Sequence, residues 1–196
     1  MVVKETPTHS LIDGQPYLRV TTLLNAMLVD QEYAKHQVDM AAYNEATRLG
    51  TQVDRMIEDD LLGRKIRYPK VYSYEAKTLW EAYLESKRTD PLGVERVQEL
   101  VKHDGLRLAG RIDHAYQMVV RDYKATAKLL RRGWLQTNTY CYLKFGDLAA
   151  KAIRQLVRLD KQTGMAEVRE RPTSLEEWLA VKHMKKAYEI YKVMKE

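Results

Sequence analysis

The chain has a single cysteine, Cys141, one phenylalanine, five prolines, and no apolar run long enough to cross a bilayer. One thiol can close no intrachain disulfide and supplies no cysteine-rich metal cage, so a reducing compartment, the cytoplasm, is expected. The first residues, Met1 to Pro7, lack the apolar stretch of a signal peptide, and no membrane association is expected. No repeat, low-complexity tract or Pro/Gly-rich linker divides the sequence. A single domain over 1–196 is therefore expected, with a mostly helical part at 1–92 and a sheet-bearing part at 93–196.

What is present is charge and a moderate apolar content. Of 196 residues, 45% are hydrophobic and 31% charged, which excludes an intrinsically disordered chain and leaves room for a core. A net charge of +6 and a pI near 9.2 point to a polyanionic partner; nucleic acid and an acidic membrane surface both satisfy that.

Local patterns predict the elements. Asp13-Gly14, between Leu11-Ile12 and Tyr17-Leu18, signals a small hairpin or extended arm, and Thr21 or Thr22 is placed to cap a short helix reaching Leu28. Helical periodicity follows over 31–47. A second helix opens near Gly50, runs through Val53, Met56 and Ile57, and stops at Gly63. Residues 73–87 form an amphipathic helix with Leu79, Trp80, Tyr83 and Leu84 on its apolar side, ended by Asp90-Pro91. A strand is expected over 94–101, a turn at 102–105, a strand opening at Leu106, and a hairpin of 153–160 with 165–171. Ser174 and Glu177 mark a capping box for a long last helix. It turns Trp178, Val181, Met184, Tyr188 and Tyr191 inward and leaves Lys182, Lys185 and Lys186 wet.

The stretch from Gly110 to Tyr140 carries the chemistry. Asp122 and Lys124 alternate along an apolar strand and so share a face, with Tyr123 pointing away. Between Asp113 and Asp122 there is room for two short antiparallel strands reversing near Tyr116-Gln117, which brings the two acids close across the ladder. Neighbouring carboxylates repel unless a cation sits between them. Hard oxygen donors without a cysteine or histidine cluster favour Mg2+ or Mn2+. A carboxylate-held metal beside a lysine suits hydrolysis of a phosphodiester. Downstream, Lys128, Arg131 and Arg132 could offset backbone phosphate charge, or simply begin a solvated helix. Trp134 suits either base stacking or burial. Gln136 and Tyr140, four apart, share one helix face. Cys141 reads as a small buried apolar residue, since no histidine base is spaced to activate it.

The ordered set G-x-x-D (Gly110 to Asp113), D-x-K (Asp122 to Lys124) and Q-x-x-x-Y (Gln136 to Tyr140) resembles the PD-(D/E)XK nuclease superfamily. It is most similar there to the RecB-like group, which includes phage exonucleases and the mitochondrial genome maintenance exonuclease. The resemblance implies an α/β restriction-endonuclease-like core: a central mixed sheet flanked by helices, after a helical N-terminal third and before a long C-terminal helix. By motif it makes Asp113 and Asp122 metal ligands, the Tyr123 carbonyl a further ligand, Lys124 the catalytic lysine, and Gln136 and Tyr140 the helix residues that order the site. Asp54, in the run Gly50 to Glu58, stands where the family carries a metal-reaching histidine; it is either an oxygen ligand or part of a solvated helix face. Glu95 resembles an acid of the family's first core strand, and is either a ligand or a surface acid. One cysteine sets the chain apart from relatives holding a four-cysteine iron-sulfur cluster. The implied function is a metal-dependent DNA exonuclease in phage-type recombination, repair or processing. It would act in the cytoplasm, that of a bacterial host if phage-encoded, with a recombinase or single-strand annealing protein as the partner class. A structure-specific endonuclease, a non-catalytic DNA-binding module and a structural domain remain as alternatives.

Overall fold

Asp13 and Gly14 both take positive φ, 49° and 79°, which is the backbone a two-residue hairpin turn requires. They join β2 (His9–Ile12) to β3 (Gln15–Arg19), and β1 (Val3–Glu5) pairs with the far edge of β2. The computed structural model describes residues 2–28, 40–70, 72–126, 129 and 131–194. The hairpin expected around Asp13-Gly14 is present, and with β1 it places three strands before the first helix of the mostly helical N-terminal part. That helix, α1 (Val20–Met27), follows β3 without a loop. Arg19 rather than Thr21 or Thr22 occupies its cap, and no side chain closes it. Pairing of Leu18 and Arg19 with Leu108 and Ala109 holds the chain extended up to that residue, which decides where helix can begin.

Helix α2 (Met40–Leu61) runs straight through Gly50, where a break was expected. A helical glycine costs about 1 kcal/mol, less than the burial of Leu49, Val53, Met56 and Ile57 returns. The part of the expected tract at 31–39 lies outside the described residues. Gly63, at φ 63°, ends the helix as expected. Helix α3 (Tyr74–Thr89) is capped by Ser73, whose Oγ accepts from Ala76 N at 3.2 Å. Leu79, Trp80 and Tyr83 are buried, but Leu84 is 42% exposed because the inward stripe passes through Ala76, Leu79, Tyr83 and Ser86.

All eight strands among the described residues join one mixed sheet. β4 (Arg96–His103) pairs antiparallel with one edge of β5 (Leu108–Tyr116) along nearly its whole length. The other edge is shared. β3 takes Leu108 and Ala109, and β6 (Val119–Lys124) takes His114 to Tyr116. Gly110 to Asp113 are left without a strand partner on that edge, so the sheet splits there. Beyond β6 come β7 (Ile153–Leu159), parallel to it, and β8 (Ala166–Pro172), joined to β7 as the expected hairpin.

Helices cover both faces. On one, α1, α4 (Arg131–Phe145) and α5 (Leu175–Val193) enclose Leu24, Leu108, Ile112, Val120, Leu135, Cys141 and Trp178. On the other, α2 and α3 enclose Val53, Met56, Leu79, Tyr83, Tyr123 and Val157. This is the expected α/β architecture with its long C-terminal helix. The start of α5 is pinned by buried Asn138, which donates to Ser174 O at 3.0 Å and accepts from Ser174 N at 2.8 Å. Ser174 caps Glu177 N, but the Glu177 carboxylate pairs with Arg154 instead of completing a capping box. Tyr191 is 55% exposed because α5 outruns the core beneath it, and Lys185, expected wet, is buried against Glu189. No described helix is long and apolar enough to cross a membrane.

Apart from its own helix backbone and chain neighbours, no described atom lies within 4 Å of the position a Cβ would take on Gly50. Gly50→Ala should therefore stabilise the fold by roughly 0.5–1 kcal/mol, read as a rise in the urea midpoint at unchanged slope.

Candidate active site

Alternation along β6 sends Val120 and Asp122 toward α4, and Tyr123 the other way, where its ring packs edge-on to Tyr83 at 5.5 Å. Lys124 follows Asp122 on its face, with Nζ 2.6 Å from Asp122 Oδ2. From α4, Gln136 Nε2 donates to Asp122 Oδ1 at 3.2 Å and to the Tyr140 hydroxyl at 3.0 Å, while its Oε1 accepts from Lys124 at 3.4 Å. Gln136 thus bridges an acid and an amine two apart on a strand, and also donates to Tyr140 one helical turn along. The helix comes this close because Gly110 has no side chain: a methyl there would overlap Tyr140 Cε1.

Asp113 joins this group through a kink. A regular strand would put Ile112 and His114 on the same face. Here Ile112 lies in the core under α4, whereas the His114 ring stacks on Tyr123 in the other core. The irregularity falls at Asp113, and opposite it on β4 Gln98 is left-handed, at φ 51°. Such a conformation costs a non-glycine residue of order 1–3 kcal/mol. Asp113 Oδ2 accepts from Tyr123 N at 3.2 Å, and its Oδ1 from Gln98 Nε2 at 3.5 Å.

These groups line one cleft of about 510 Å³, with Thr51, Asp54, Arg55 and Glu58 of α2 on its other wall and Arg19 and Arg111 beside them. Helices from opposite faces reach the same space because it opens where the sheet splits. Tyr123 borders the cleft with its main chain, since its ring is in the core.

The electrostatics of the cleft are unbalanced. Loss of hydration, then the charges of Asp122 and Asp54, push the Asp113 carboxyl well above the usual carboxylate range, against the pull of Lys124 and the Tyr123 N–H. Asp54 is raised to about 6 by the crowding of protein around it, opposed by Lys124 and reinforced by Asp122. Its side chain still touches water in the open cleft, which screens the coupling. Burial alone would lower the Lys124 ammonium, but Asp122 and Asp113 outweigh it and hold the pKa above its ordinary value. Lys124 is therefore a persistent cation and no base. Burial and Asp122 likewise keep Tyr140 a neutral phenol.

Known protein families offer no match to this sequence. No curated protein matches it either.

The donor set suits a hard divalent cation. Asp122 is 1% exposed, and its Oδ2, although beside Lys124, makes no aligned hydrogen bond. Asp113 supplies a second carboxylate, and Tyr123, whose N–H donates to it, borders the same cleft. Among the described residues no three His, Cys, Asp or Glu close a complete cage. Mg2+ commonly takes one or two carboxylates and fills its shell with water and substrate oxygens.

Other expected residues fall elsewhere. Glu95 is exposed, stands before β4 begins, and accepts from Gln117 N at 2.9 Å. Its proposed place as a ligand is corrected, because Gln98 is the residue that faces Asp113. Arg131 is exposed at the start of α4 and does not line the cleft. Arg132 donates to Asn25 at 2.8 Å and borders a smaller cavity of about 190 Å³, which shares Thr21, Lys124 and Gln136 with the cleft. Lys128 lies outside the described residues. Trp134 is buried under Arg171, at 4.4 Å from its ring, and Cys141 is buried with its thiol pushed up to about 12. Gln98, Arg19, Arg55 and Arg111 were not anticipated. Arg55 was within reach, since Thr51, Asp54, Arg55 and Glu58 repeat at helical spacing; nothing local marked Gln98.

Gly110→Ala should cost about 1–3 kcal/mol in chemical denaturation, because the Tyr140 ring is only 3% exposed and has nowhere to go. Asp54 has a higher pKa folded than unfolded, so its contribution to stability is full below about pH 4 and is lost as pH rises through 6. Asp54→Asn should accordingly melt above the wild type at pH 7.5 in chelator, and the gap should close at pH 4.

Proposed function

We propose that this cleft is the active site of a metal-dependent deoxyribonuclease of the PD-(D/E)XK type on a restriction-endonuclease-like core. In this reading it acts as an exonuclease in phage-type recombination, repair or DNA processing. The observation that carries the reading is the Lys124 ammonium held between Asp122 and Gln136, next to a second acid, Asp113, that forms no ion pair among the described residues. A structural ion pair would need neither the second crowded carboxylate nor the left-handed Gln98 beside it.

A divalent cation held by Asp113, Asp122 and the Tyr123 carbonyl would supply Lewis acidity to a bound phosphate and lower the cost of ionising water. The chain's own groups do the rest. Lys124, always protonated, donates to a phosphate oxygen or to the attacking water and stabilises negative charge as it develops. Gln136 fixes the Asp122 carboxylate and the Tyr140 hydroxyl through its two N–H donors, so neither must reorganise during reaction. Arg19 and Arg55 line the wall and offset the charge of flanking phosphates. Hydrolysis forms a bond from water oxygen to phosphorus and releases the bridging ester oxygen with a proton.

The deciding experiment is a time course on end-labelled linear single-stranded and double-stranded DNA and on covalently closed circles, with Mg2+, Mn2+ or chelator. Metal-dependent loss of linear DNA alone is expected. Cutting of circles would make the protein a structure-specific endonuclease, and no metal-dependent cleavage of any substrate would leave a DNA-binding module. Lys124→Ala should slow cleavage by roughly 10²–10³-fold with DNA retention kept.

A further inference from the structure

A second concave site lies away from the cleft, and its chemistry does not depend on how the cleft is read. The short turn Asp104–Leu106 and left-handed Arg107, which connect β4 to β5, face α5 across a cavity of about 370 Å³. Its lining combines the apolar Leu106 and Leu179 with the cations Arg107, Lys182, Lys185 and Lys186, against one carboxylate, Glu189. Glu189 is already taken by buried Lys185. Arg107 leans on the Tyr17 ring at 5.3 Å, and Lys182 on the Trp178 ring at 5.4 Å; Asp104, beside Arg107 on the turn, is paired with Lys102, so cations outnumber carboxylates around the cavity.

The cavity continues into a stripe along the outer side of α5. Leu175, Leu179, Ile190 and Val193 are all exposed, and with Lys182, His183 and Lys186 between them they repeat every three or four residues. That spacing keeps them on one helical face, about 27 Å long at 1.5 Å per residue. A solvated helix face carries no such aliphatic row.

We propose that this face of α5 docks an acidic amphipathic segment of a partner protein, with one of its apolar side chains seated in the cavity beside Leu179. Charge and shape select that occupant. A second copy of this chain, itself at +6, would meet like charge. A nucleic-acid backbone satisfies the lysines but leaves the aliphatic row in water, and a flat bilayer cannot fill the recess between α5 and the turn. An acidic helix with apolar residues at matching intervals covers the row, fills the recess and pairs with the lysines.

The test uses the full chain and a labelled helical peptide carrying glutamate on one face and leucine on the other, followed by fluorescence anisotropy. Saturable binding is expected. Leu179→Gln with Ile190→Gln should weaken it about tenfold or more, as should Lys182→Glu with Lys186→Glu, these being the anchor and the rim of one site. The first pair should leave affinity for a single-stranded oligonucleotide unchanged, and phosphatidylserine vesicles should not retain the wild type. Circular dichroism checks folding, with Leu175→Gln as a milder apolar variant. Absence of peptide binding overturns the proposal. So does equal loss of oligonucleotide affinity in the glutamine pair, which would mark a nucleic-acid surface, or retention on vesicles, which would mark a membrane surface.

Discussion

Along one edge β5 is paired over nearly its whole length by β4; along the other it is paired only at its ends, by β3 and by β6. The unclaimed segment from Gly110 to Asp113 is the constraint on which the rest depends. A continuous sheet separates the helices on its two faces by a closed layer. A split sheet lets α2 from one side and α4 from the other border the same cleft, so Asp54 and Gln136 can face a common space. The left-handed Gln98 and the kink at Asp113 occur at the same place, as strain does where a strand must leave its ladder.

Within that opening, charge is arranged at the expense of stability. Asp113 is pushed toward protonation by lost hydration, Asp122 and Asp54, and Asp54 by lost hydration and Asp122; Lys124 compensates only in part. A protein selected for stability alone would replace such a group with apolar residues. Keeping it leaves poorly hydrated carboxylates crowded around Lys124. The parts around it are held in place: Gly110 admits the Tyr140 ring, Tyr140 and Asp122 fix Gln136, and Asn138, between Gln136 and Tyr140 on α4, ties that helix to the start of α5.

Surface and site divide between helices. α2 and α4 turn polar groups into the cleft. α5 spends its inner face on Trp178 and Val181 and leaves an aliphatic and cationic outer row that the fold itself does not use. Cationic side chains thus meet different chemistry in the two places: arginines beside carboxylates in the cleft, lysines beside leucines on α5.

The local sequence determined what local rules govern. Asp13-Gly14 specified a turn, period-two alternation put Asp122 and Lys124 on one side of β6, and a four-residue interval put Gln136 and Tyr140 on one side of α4. The short interval between Asp113 and Asp122 specified the hairpin that joins them. Tertiary structure decided the rest, because it turns on contacts between residues far apart in the chain. Which strand claims each edge of β5, that Gln98 and not Glu95 faces Asp113, that α2 supplies the opposite wall, and that Lys185 is buried while Tyr191 is not all follow from packing, where the energy of one contact depends on how every neighbouring element has already been placed.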